Sequence, residues 1–364
     1  MVTVASFSIS HTGFIDPQGE ATGPLPPFAA DSEALADMYR AMVLTRLFDK
    51  KAVALQRTGQ LGTFPSAIGA EAIGVGLASA MRAEDVLLPS YRDHAAQLLR
   101  GVSMTEILLY WAGDERGSDF AVPRHDFPNC VPIASQICHA AGAAYACKLR
   151  REPRVAVCMA GDGATSKGDF YEGMNLAGVW QAPLVMVISN NQWAISLPRR
   201  AQTAAATLAQ KAIAAGIEGL QVDGNDVIAV RHAAQQALSK ARSGGGPTLI
   251  EAITYRLGDH TTADDASRYR DAAEVQQQWL REPITRLRNY LARLGAWDKD
   301  KEIRLHQECA ARVERAVADF LQIPPPGVDA MFDHLYAALP KSLERQRAMA
   351  RRQPAPAAHG EHHG

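Results

Sequence analysis

The sequence predicts an α/β protein with a doubly wound, mainly parallel β-sheet. Two short apolar runs that contain β-branched residues, 154–160 (RVAVCMA) and 184–189 (LVMVIS), are typical of strands covered on both faces. The segment 169–179 between them has the character of a helix, so the three together predict a βαβ unit. Farther along, strand-like runs at 219–222 and 248–255 indicate that strands and helices continue to alternate.

Helices are predicted for most of the remaining chain. Residues 31–58 have the pattern of a long amphipathic helix, with Asp31 or Ser32 as its cap. After residue 270 the sequence becomes charged, and its apolar residues recur at helical spacing. Further helices are expected at 65–80, 104–113 and 227–243.

These patterns divide the chain into four parts. We predict an N-terminal arm that lies over a partner, an α/β domain, a C-terminal helical region and a disordered tail, over residues 1–30, 31–270, 271–345 and 346–364. Three histidines in the tail could bind a metal ion, but its Pro- and Ala-rich composition favours disorder.

Composition argues against several classes of protein. The chain has 364 residues, a formal net charge of −1 and a sequence pI of about 6.8, which gives no electrostatic footprint for nucleic acid or an anionic membrane. No apolar run approaches the roughly 18 residues of a spanning helix, and the first residues lack the pattern of a signal peptide. Five cysteines without a Cys-x-x-Cys pair are typical of a reducing compartment. We therefore expect a cytoplasmic protein.

Polar residues follow the two central strands at the point where each ends. Gly161-Asp162-Gly163 closes the first run and Asn190-Asn191 closes the second, so their side chains should meet at one edge of a parallel sheet. A carboxylate and an amide oxygen suit Mg2+ or Ca2+ shared with a phosphate group. The glycines allow a sharp turn and a close approach to that group. Alone, Gly-Asp-Gly is an ordinary turn; the Asn pair favours a site.

The span 161–191 resembles the thiamine-diphosphate-binding motif, which begins with Gly-Asp-Gly and ends with Asn-Asn. From about residue 35 to 343, the chain also resembles the alpha subunit of two-subunit 2-oxo acid dehydrogenases, most of all the bacterial pyruvate dehydrogenases. Five segments carry this likeness: LTRLFDKKAVALQRTGQLG, LLPSYRDH, GDGATSKGDFYEGMN, VDGNDV and TYRLGDHTTADDASRYR. The resemblance implies a diphosphate-binding α/β domain with helical flanks.

The resemblance also implies roles for individual residues. The side chains of Asp162 and Asn191 and the backbone carbonyl of Trp193 would bind Mg2+. Arginine suits phosphate because its planar fork donates two hydrogen bonds at once. The other cofactor contacts would be Gly161 and Gly163 in the phosphate loop, Tyr91, Arg92 and Arg256 at the diphosphate, and the backbone of Ile133 at the aminopyrimidine ring.

His260 occupies the position of the family's active-site histidine, beside the diphosphate and the substrate channel. A pKa near neutrality would suit proton transfer there. Asp259, a departure from relatives, could tune the charge of this histidine. Thr261 stands where mammalian relatives have a regulatory serine, which does not favour control by phosphorylation.

The implied activity is the oxidative decarboxylation of pyruvate, with transfer of the acyl group to a lipoyl group. A beta subunit would supply the glutamate that activates the cofactor, in an α2β2 heterotetramer. The heterotetramer would dock on a lipoyl-bearing dihydrolipoyl acyltransferase, and the charged loop 264–270 would offer a surface to the lipoyl domain.

Several alternatives remain open on the sequence alone. Phe64, within 62–67, could narrow the acyl pocket for pyruvate, but VDGNDV and the HTTADD loop also resemble the branched-chain 2-oxo acid enzymes. Acetoin dehydrogenase is the third candidate among the enzymes. A catalytically silent scaffold subunit is a further hypothesis. A nicotinamide-binding domain is disfavoured, because the glycines do not follow the G-x-G-x-x-G spacing.

Overall fold

The computed structural model describes residues 1–352 and has the predicted α/β architecture. The strands in this range are β1 (His11–Thr12), β2 (Val86–Leu88), β3 (Ala156–Gly161), β4 (Leu184–Asn190), β5 (Trp193–Ala194), β6 (Leu197–Pro198), β7 (Glu218–Asp223) and β8 (Thr248–Ile253). The helices are α1 (Ser32–Arg57), α2 (Glu71–Ala80), α3 (His94–Arg100), α4 (Met104–Trp111), α5 (Ser135–Leu149), α6 (Gly168–Trp180), α7 (Arg199–Gln202), α8 (Val227–Arg242), α9 (Ala272–Trp279), α10 (Pro283–Arg293), α11 (Lys299–Gln322), α12 (Ala330–Asp333) and α13 (Lys341–Ala350).

Six of these strands form one parallel sheet in the order β1-β7-β8-β4-β3-β2. Strands β3 and β4 are neighbours, with Gly161 opposite Ser189, so the two central strands of the prediction lie side by side. On the other side of β4, Asn190 is opposite Ile253 in β8. The carboxyl ends of β3, β4 and β8 therefore meet at one edge of the sheet, where ligands bind in folds of this class.

Helices cover both faces of the sheet. On one face, Cys158 of β3 packs in a cluster with Ile137 of α5 and Phe170 of α6. On the other face, Val157 packs in a cluster with Ile73 of α2 and with residues of α8. Because both faces are buried, the central strands are continuous apolar runs.

Helix α1 follows the prediction at both ends. The Asp31 side chain caps it by accepting hydrogen bonds from the backbone nitrogens of Glu33 and Ala34 at 3.0 and 3.1 Å. Helices α6 and α8 agree with their predicted bounds to within one residue at each end. The helical character predicted after residue 270 is confirmed by α9, α10 and α11.

The helix predicted at 65–80 is wrong in its first part, since α2 begins only at Glu71. Gly69 has a φ of +99°, and a Cβ atom there would lie 2.4 Å from the backbone oxygen of Tyr255, so the chain turns at a residue that must be glycine. Just before it, the buried Asp49 carboxylate of α1 accepts hydrogen bonds from Ser66 Oγ and Ala67 N, both at 2.6 Å. These contacts hold the segment in a non-helical path.

Part of the N-terminal arm packs on this chain's own sheet. Strand β1 pairs with β7, with His11 opposite Gln221, and the Asp226 carboxylate accepts hydrogen bonds from the backbone nitrogens of Phe14 and Ile15 at 2.7 and 2.9 Å. The sequence did not predict β1 or β2, because two or three residues are too few to form a pattern.

The contacts divide the chain into a large unit, 1–320, and a small C-terminal unit that begins at residue 321. Within the small unit, Arg351 and Asp329 form an ion pair at 2.7 Å. Helix α13 includes residues 346–350 of the predicted tail; the part of that tail from residue 353 onward, with the three histidines, lies beyond the described residues. Among the helices of residues 1–352, none has both the length and the apolar character needed to cross a membrane.

Candidate active site

A cavity of about 600 Å³ lies at the carboxyl ends of β3 and β4. Its wall combines segments that are far apart in the sequence: the loop after β2, the segment before α5, the turn after β3, the end of β4 and the loop after β8. Most of the predicted site residues line it, namely Tyr91, Arg92, Ile133, Gly161, Asp162, Gly163, Asn191, Trp193 and His260. The edge of the sheet thus collects the residues that the sequence singled out.

Asp162 and Asn191 line this cavity at adjacent strand ends. Asp162 is 1% exposed and begins a 3-10 turn (Asp162–Ser166). Burial raises the pKa of its carboxyl, and a hydrogen bond from Gln202 Nε2 to Oδ2, at 2.7 Å, opposes that shift. Asn191 Oδ1 accepts a hydrogen bond from the backbone nitrogen of Trp193 at 3.2 Å. One carboxylate, one amide and the Trp193 carbonyl form a set of oxygen donors suited to a hard cation.

The two motif glycines have different steric surroundings. A Cβ atom at Gly163 would lie 2.8 Å from the Cβ of Ala194 in β5, whereas one at Gly161 would meet nothing within 4 Å. Close backbone approach therefore requires glycine at position 163. At position 161, the protein's own atoms leave room for a side chain.

Arg256 lies behind the cavity wall and is only 2% exposed. Its Nη2 donates hydrogen bonds at 2.8 Å to the Ile195 carbonyl and to the Tyr269 hydroxyl, and its Nη1 is 3.4 Å from the Trp193 carbonyl oxygen. Its buried Nε has no hydrogen-bond partner within residues 1–352. Burial lowers the pKa of Arg256, and a guanidinium remains charged even so. This cation has no carboxylate partner in the described chain, so an anion would satisfy it.

Arg92 and His260 form a direct pair in the cavity wall. Arg92 Nη2 donates to the His260 carbonyl at 2.8 Å and lies 3.2 Å from His260 Nδ1. Arg92 also donates to the backbone oxygen of Ser66. The Tyr91 ring meets the His260 ring edge-on, with 6.2 Å between centroids.

The pKa expected for His260 is wrong. Burial, followed by the charges of Arg92 and Arg256, lowers the pKa of His260 to about 4. The sequence shows neither the burial nor the two arginines beside the ring. The carboxylate that acts on this histidine is Asp264, which accepts a hydrogen bond from the His260 backbone nitrogen at 2.8 Å. Asp259, expected to tune it, accepts instead from Ala266 N at 3.1 Å.

Phe64 does not line the cavity. It is fully buried and stacks on the His94 ring, with centroids 4.9 Å apart and an interplanar angle of 20°. Its neighbours Thr63 and Pro65 form the wall instead, together with Trp111. Any influence of Phe64 on the cavity must pass through these residues.

Sequence reasoning missed two side chains that hold the predicted residues. Gln202, in α7, contacts Asp162, and no motif marks it. The Tyr269 hydroxyl bridges Arg256 and Asp264, and its ring lies 5.6 Å from that of Trp193. Tyr269 belongs to the charged loop 264–270, for which the sequence predicts a docking surface and no role in holding Arg256.

The chain is similar in sequence to a known protein family and to named proteins. The family described as "Dehydrogenase E1 component" matches residues 39–328. The chain is 42% identical over 323 residues to the 3-methyl-2-oxobutanoate dehydrogenase subunit alpha of Mycobacterium tuberculosis, covering 88% of this chain and 87% of that protein. It is 40% identical over 315 residues to the pyruvate dehydrogenase E1 component subunit alpha of Staphylococcus aureus, covering 86% and 85%.

Proposed function

Because the chain belongs to the dehydrogenase E1 component family, as a 2-oxo acid dehydrogenase alpha subunit, we propose that it binds thiamine diphosphate with Mg2+ and acts on pyruvate. The observation that carries this proposal is the convergence of Asp162, Asn191, Arg92 and His260 on one cavity. We assign the cofactor-binding role to the α/β domain at 31–270.

The residues present fit a magnesium diphosphate group. Asp162, Asn191 and the Trp193 carbonyl would hold the cation, because a hard ion prefers oxygen donors. Arg92 and Arg256 would bind the diphosphate, with Tyr91 beside them. The Nε of Arg256, which has no partner among the described residues, supports an anion there. The remaining contacts would be Gly161 and Gly163 in the phosphate loop and the backbone of Ile133 at the aminopyrimidine ring.

Thiamine diphosphate, when bound, supplies the electron sink that cleavage of a 2-oxo acid requires. His260 is the proposed catalytic residue of this chain. Its Nδ1 faces a guanidinium, which can only donate, so the neutral ring carries its proton on Nε2. From that atom it can donate a hydrogen bond to an oxygen atom of the substrate or acyl group. An anion held by Arg92 and Arg256 would offset their charges and raise the pKa of His260.

The active site would be completed by a beta subunit in an α2β2 heterotetramer. Val131, Ile133 and Ile195 line the cavity yet are 50%, 41% and 56% exposed. Large apolar side chains exposed at the rim of a polar site support a covering partner chain. The acyl group would leave on the tethered lipoyl group of a dihydrolipoyl acyltransferase, in the cytoplasm, where the free cysteines of this chain stay reduced.

The alternative substrate is a branched-chain 2-oxo acid. Its support is the M. tuberculosis relative, which is as similar to this chain as the relative named for pyruvate. The residues at issue are Thr63, Pro65 and Trp111 in the wall, with Phe64 behind them. One methylene in such a pocket changes the free energy of transition-state binding by only about 1–3 kcal/mol. The two substrates must therefore be compared directly.

The test is 2-oxo acid decarboxylation by the chain co-expressed with its beta subunit. Pyruvate and 3-methyl-2-oxobutanoate are compared, each with and without thiamine diphosphate and Mg2+. Cofactor-dependent turnover that favours pyruvate is the expected result. Preference for the branched acid would establish the alternative, and a complex that binds cofactor without turning over either acid would contradict both.

A further inference from the structure

Lys211 is a buried cation close to the proposed cofactor site that none of the roles above uses. It lies in a 3-10 segment (Ala209–Ala215) and is 8% exposed. Its Nζ donates hydrogen bonds to the Thr165 carbonyl at 2.7 Å and to Thr165 Oγ1 at 3.1 Å. Within the described residues, no carboxylate lies close enough to form an ion pair with it. Burying an unpaired ammonium is costly, so its contacts call for an explanation.

Those contacts lead directly to Asp162. Thr165 is fully buried, and its hydroxyl donates to the Asp162 backbone oxygen at 2.8 Å. Lys211 therefore holds the last turn of the segment that Asp162 begins. It also lies over the rings of Phe170 and Tyr171, at 5.9 and 5.4 Å from their centroids, where the cation gains further attraction.

The segment that carries Lys211 is itself anchored to the other half of the site. The Glu251 carboxylate, 1% exposed in β8, accepts hydrogen bonds from the backbone nitrogens of Leu208 and Ala209 at 2.9 and 3.0 Å. The same carboxylate accepts from Asn190 Nδ2 at 2.6 Å. Asn190 directly precedes Asn191, so one buried network connects the two side chains, Asp162 and Asn191, that are proposed to hold the metal ion.

We propose that Lys211 is a positioning residue, which fixes the Asp162 turn relative to the Asn190-Asn191 strand end through Thr165 and the segment anchored by Glu251. This inference rests on the proposed binding of thiamine diphosphate and Mg2+. Residues that orient metal ligands without touching the metal commonly change affinity about 10–100-fold when they are removed. Lys211 acts on affinity for the cofactor because it sets the separation of Asp162 and Asn191.

The test measures thiamine diphosphate binding by the chain in complex with its beta subunit, at fixed and at varied Mg2+, by calorimetry. Lys211→Met keeps the aliphatic stem and removes the ammonium. The matched control is Lys148→Met, because Lys148 Nζ also donates to two carbonyls, those of Trp180 and Gln181 at 2.7 and 3.3 Å, at the far end of α6. We expect Lys211→Met to raise the Kd about tenfold or more and Lys148→Met to leave it unchanged, with both cofactor-free complexes folded.

A second pair of variants keeps the proposal testable if Lys211→Met does not fold. Thr165→Val removes the hydroxyl that joins Lys211 to Asp162, and Thr165→Ser retains it. The valine variant should bind the cofactor more weakly than the serine variant. Equal Kd values for that pair, or a Kd for Lys211→Met within twofold of the unmodified complex, would overturn the positioning role. An unmodified complex that binds no cofactor would overturn the proposed function and this inference with it.

Discussion

Arg92 and His260, 168 positions apart in the sequence, share a hydrogen bond between Nη2 and Nδ1 at 3.2 Å. Because the arginine can only donate, the imidazole must accept at Nδ1 and cannot be doubly protonated without breaking this contact. The pKa of His260 is lowered to about 4 by burial first and by the arginine charges second. At neutral pH the ring is therefore an uncharged donor.

Removing the Arg92 charge should raise the pKa of His260. In Arg92→Gln the His260 ring loses its nearest cation, so it becomes protonated at a higher pH than in the unmodified chain. NMR of 13C-labelled histidine in the cofactor-free complex with the beta subunit would measure it. Arg304→Gln, which removes an exposed arginine of α11 that does not act on His260, is the control. An unchanged His260 titration in Arg92→Gln would show that the charge of Arg92 does not contribute to its pKa.

Replacing Asp162 by alanine should abolish Mg2+-dependent binding of thiamine diphosphate, because it removes the only carboxylate among the proposed metal ligands. Gln202→Leu should produce a weaker effect, about a tenfold rise in Kd, since it removes the hydrogen bond that orients Asp162 Oδ2. Calorimetry on the complex would measure both. Unchanged affinity in Asp162→Ala would refute the assignment of the ion.

Gly163→Ala should damage the site, whereas Gly168→Ala should not. The added methyl at 163 would lie 2.8 Å from Ala194 Cβ, and at 168 it would meet nothing within 4 Å. Overpacking of this kind destabilises a protein by about 1–3 kcal/mol. Here it would destabilise the turn that carries Asp162. Thermal unfolding and cofactor affinity would report it. Equal unfolding temperatures and cofactor affinities for the two variants would show that β5 shifts to make room for the methyl group.

The sequence could predict where the candidate site lies because its polar residues follow directly after buried strands. The apolar runs at β3 and β4 locate the sheet edge, and Asp162 and Asn191 follow from it. The support of these residues could not be predicted, since Gln202, Lys211 and Tyr269 reach them through loops and short turns without periodicity. The burial of His260 and of Phe64 likewise depends on long-range packing, which local pattern does not encode.

His260→Ala should retain the cofactor but lose reductive acylation of lipoamide. The alanine removes the donor at Nε2 while leaving the backbone carbonyl that accepts from Arg92. Arg92 then keeps its position for the diphosphate. Calorimetry should give a Kd close to that of the unmodified complex, and lipoamide acylation should fall sharply. Full acylation by the variant would remove His260 from the catalytic group.

The pH dependence of stability should contain a contribution from His94. This ring is fully buried against Phe64, and its Nε2 accepts a hydrogen bond from Trp111 Nε1 at 3.1 Å. Burial, then the charge of Arg92, lowers the pKa of His94 from 6.5 to about 3. In the unfolded chain, His94 therefore takes up a proton near pH 6.5. In the folded chain, it stays unprotonated until the pH approaches 3. The contribution is complete above pH 6.5 and is lost progressively as the pH falls toward 3.

Each such proton changes the free energy of unfolding by about 1.4 kcal/mol per pH unit. His94→Gln retains an acceptor for Trp111 and cannot titrate, so its unfolding free energy should fall less steeply than that of the unmodified chain between pH 6.5 and 4.5. Urea unfolding of the complex at several pH values would measure the two slopes. Parallel slopes would mean that His94 does not contribute to the pH dependence. Other buried groups also contribute, among them Asp49, whose pKa burial raises to about 6. The two cases differ in sign, because Asp49 favours the folded state more strongly as the pH falls, whereas His94 favours it less.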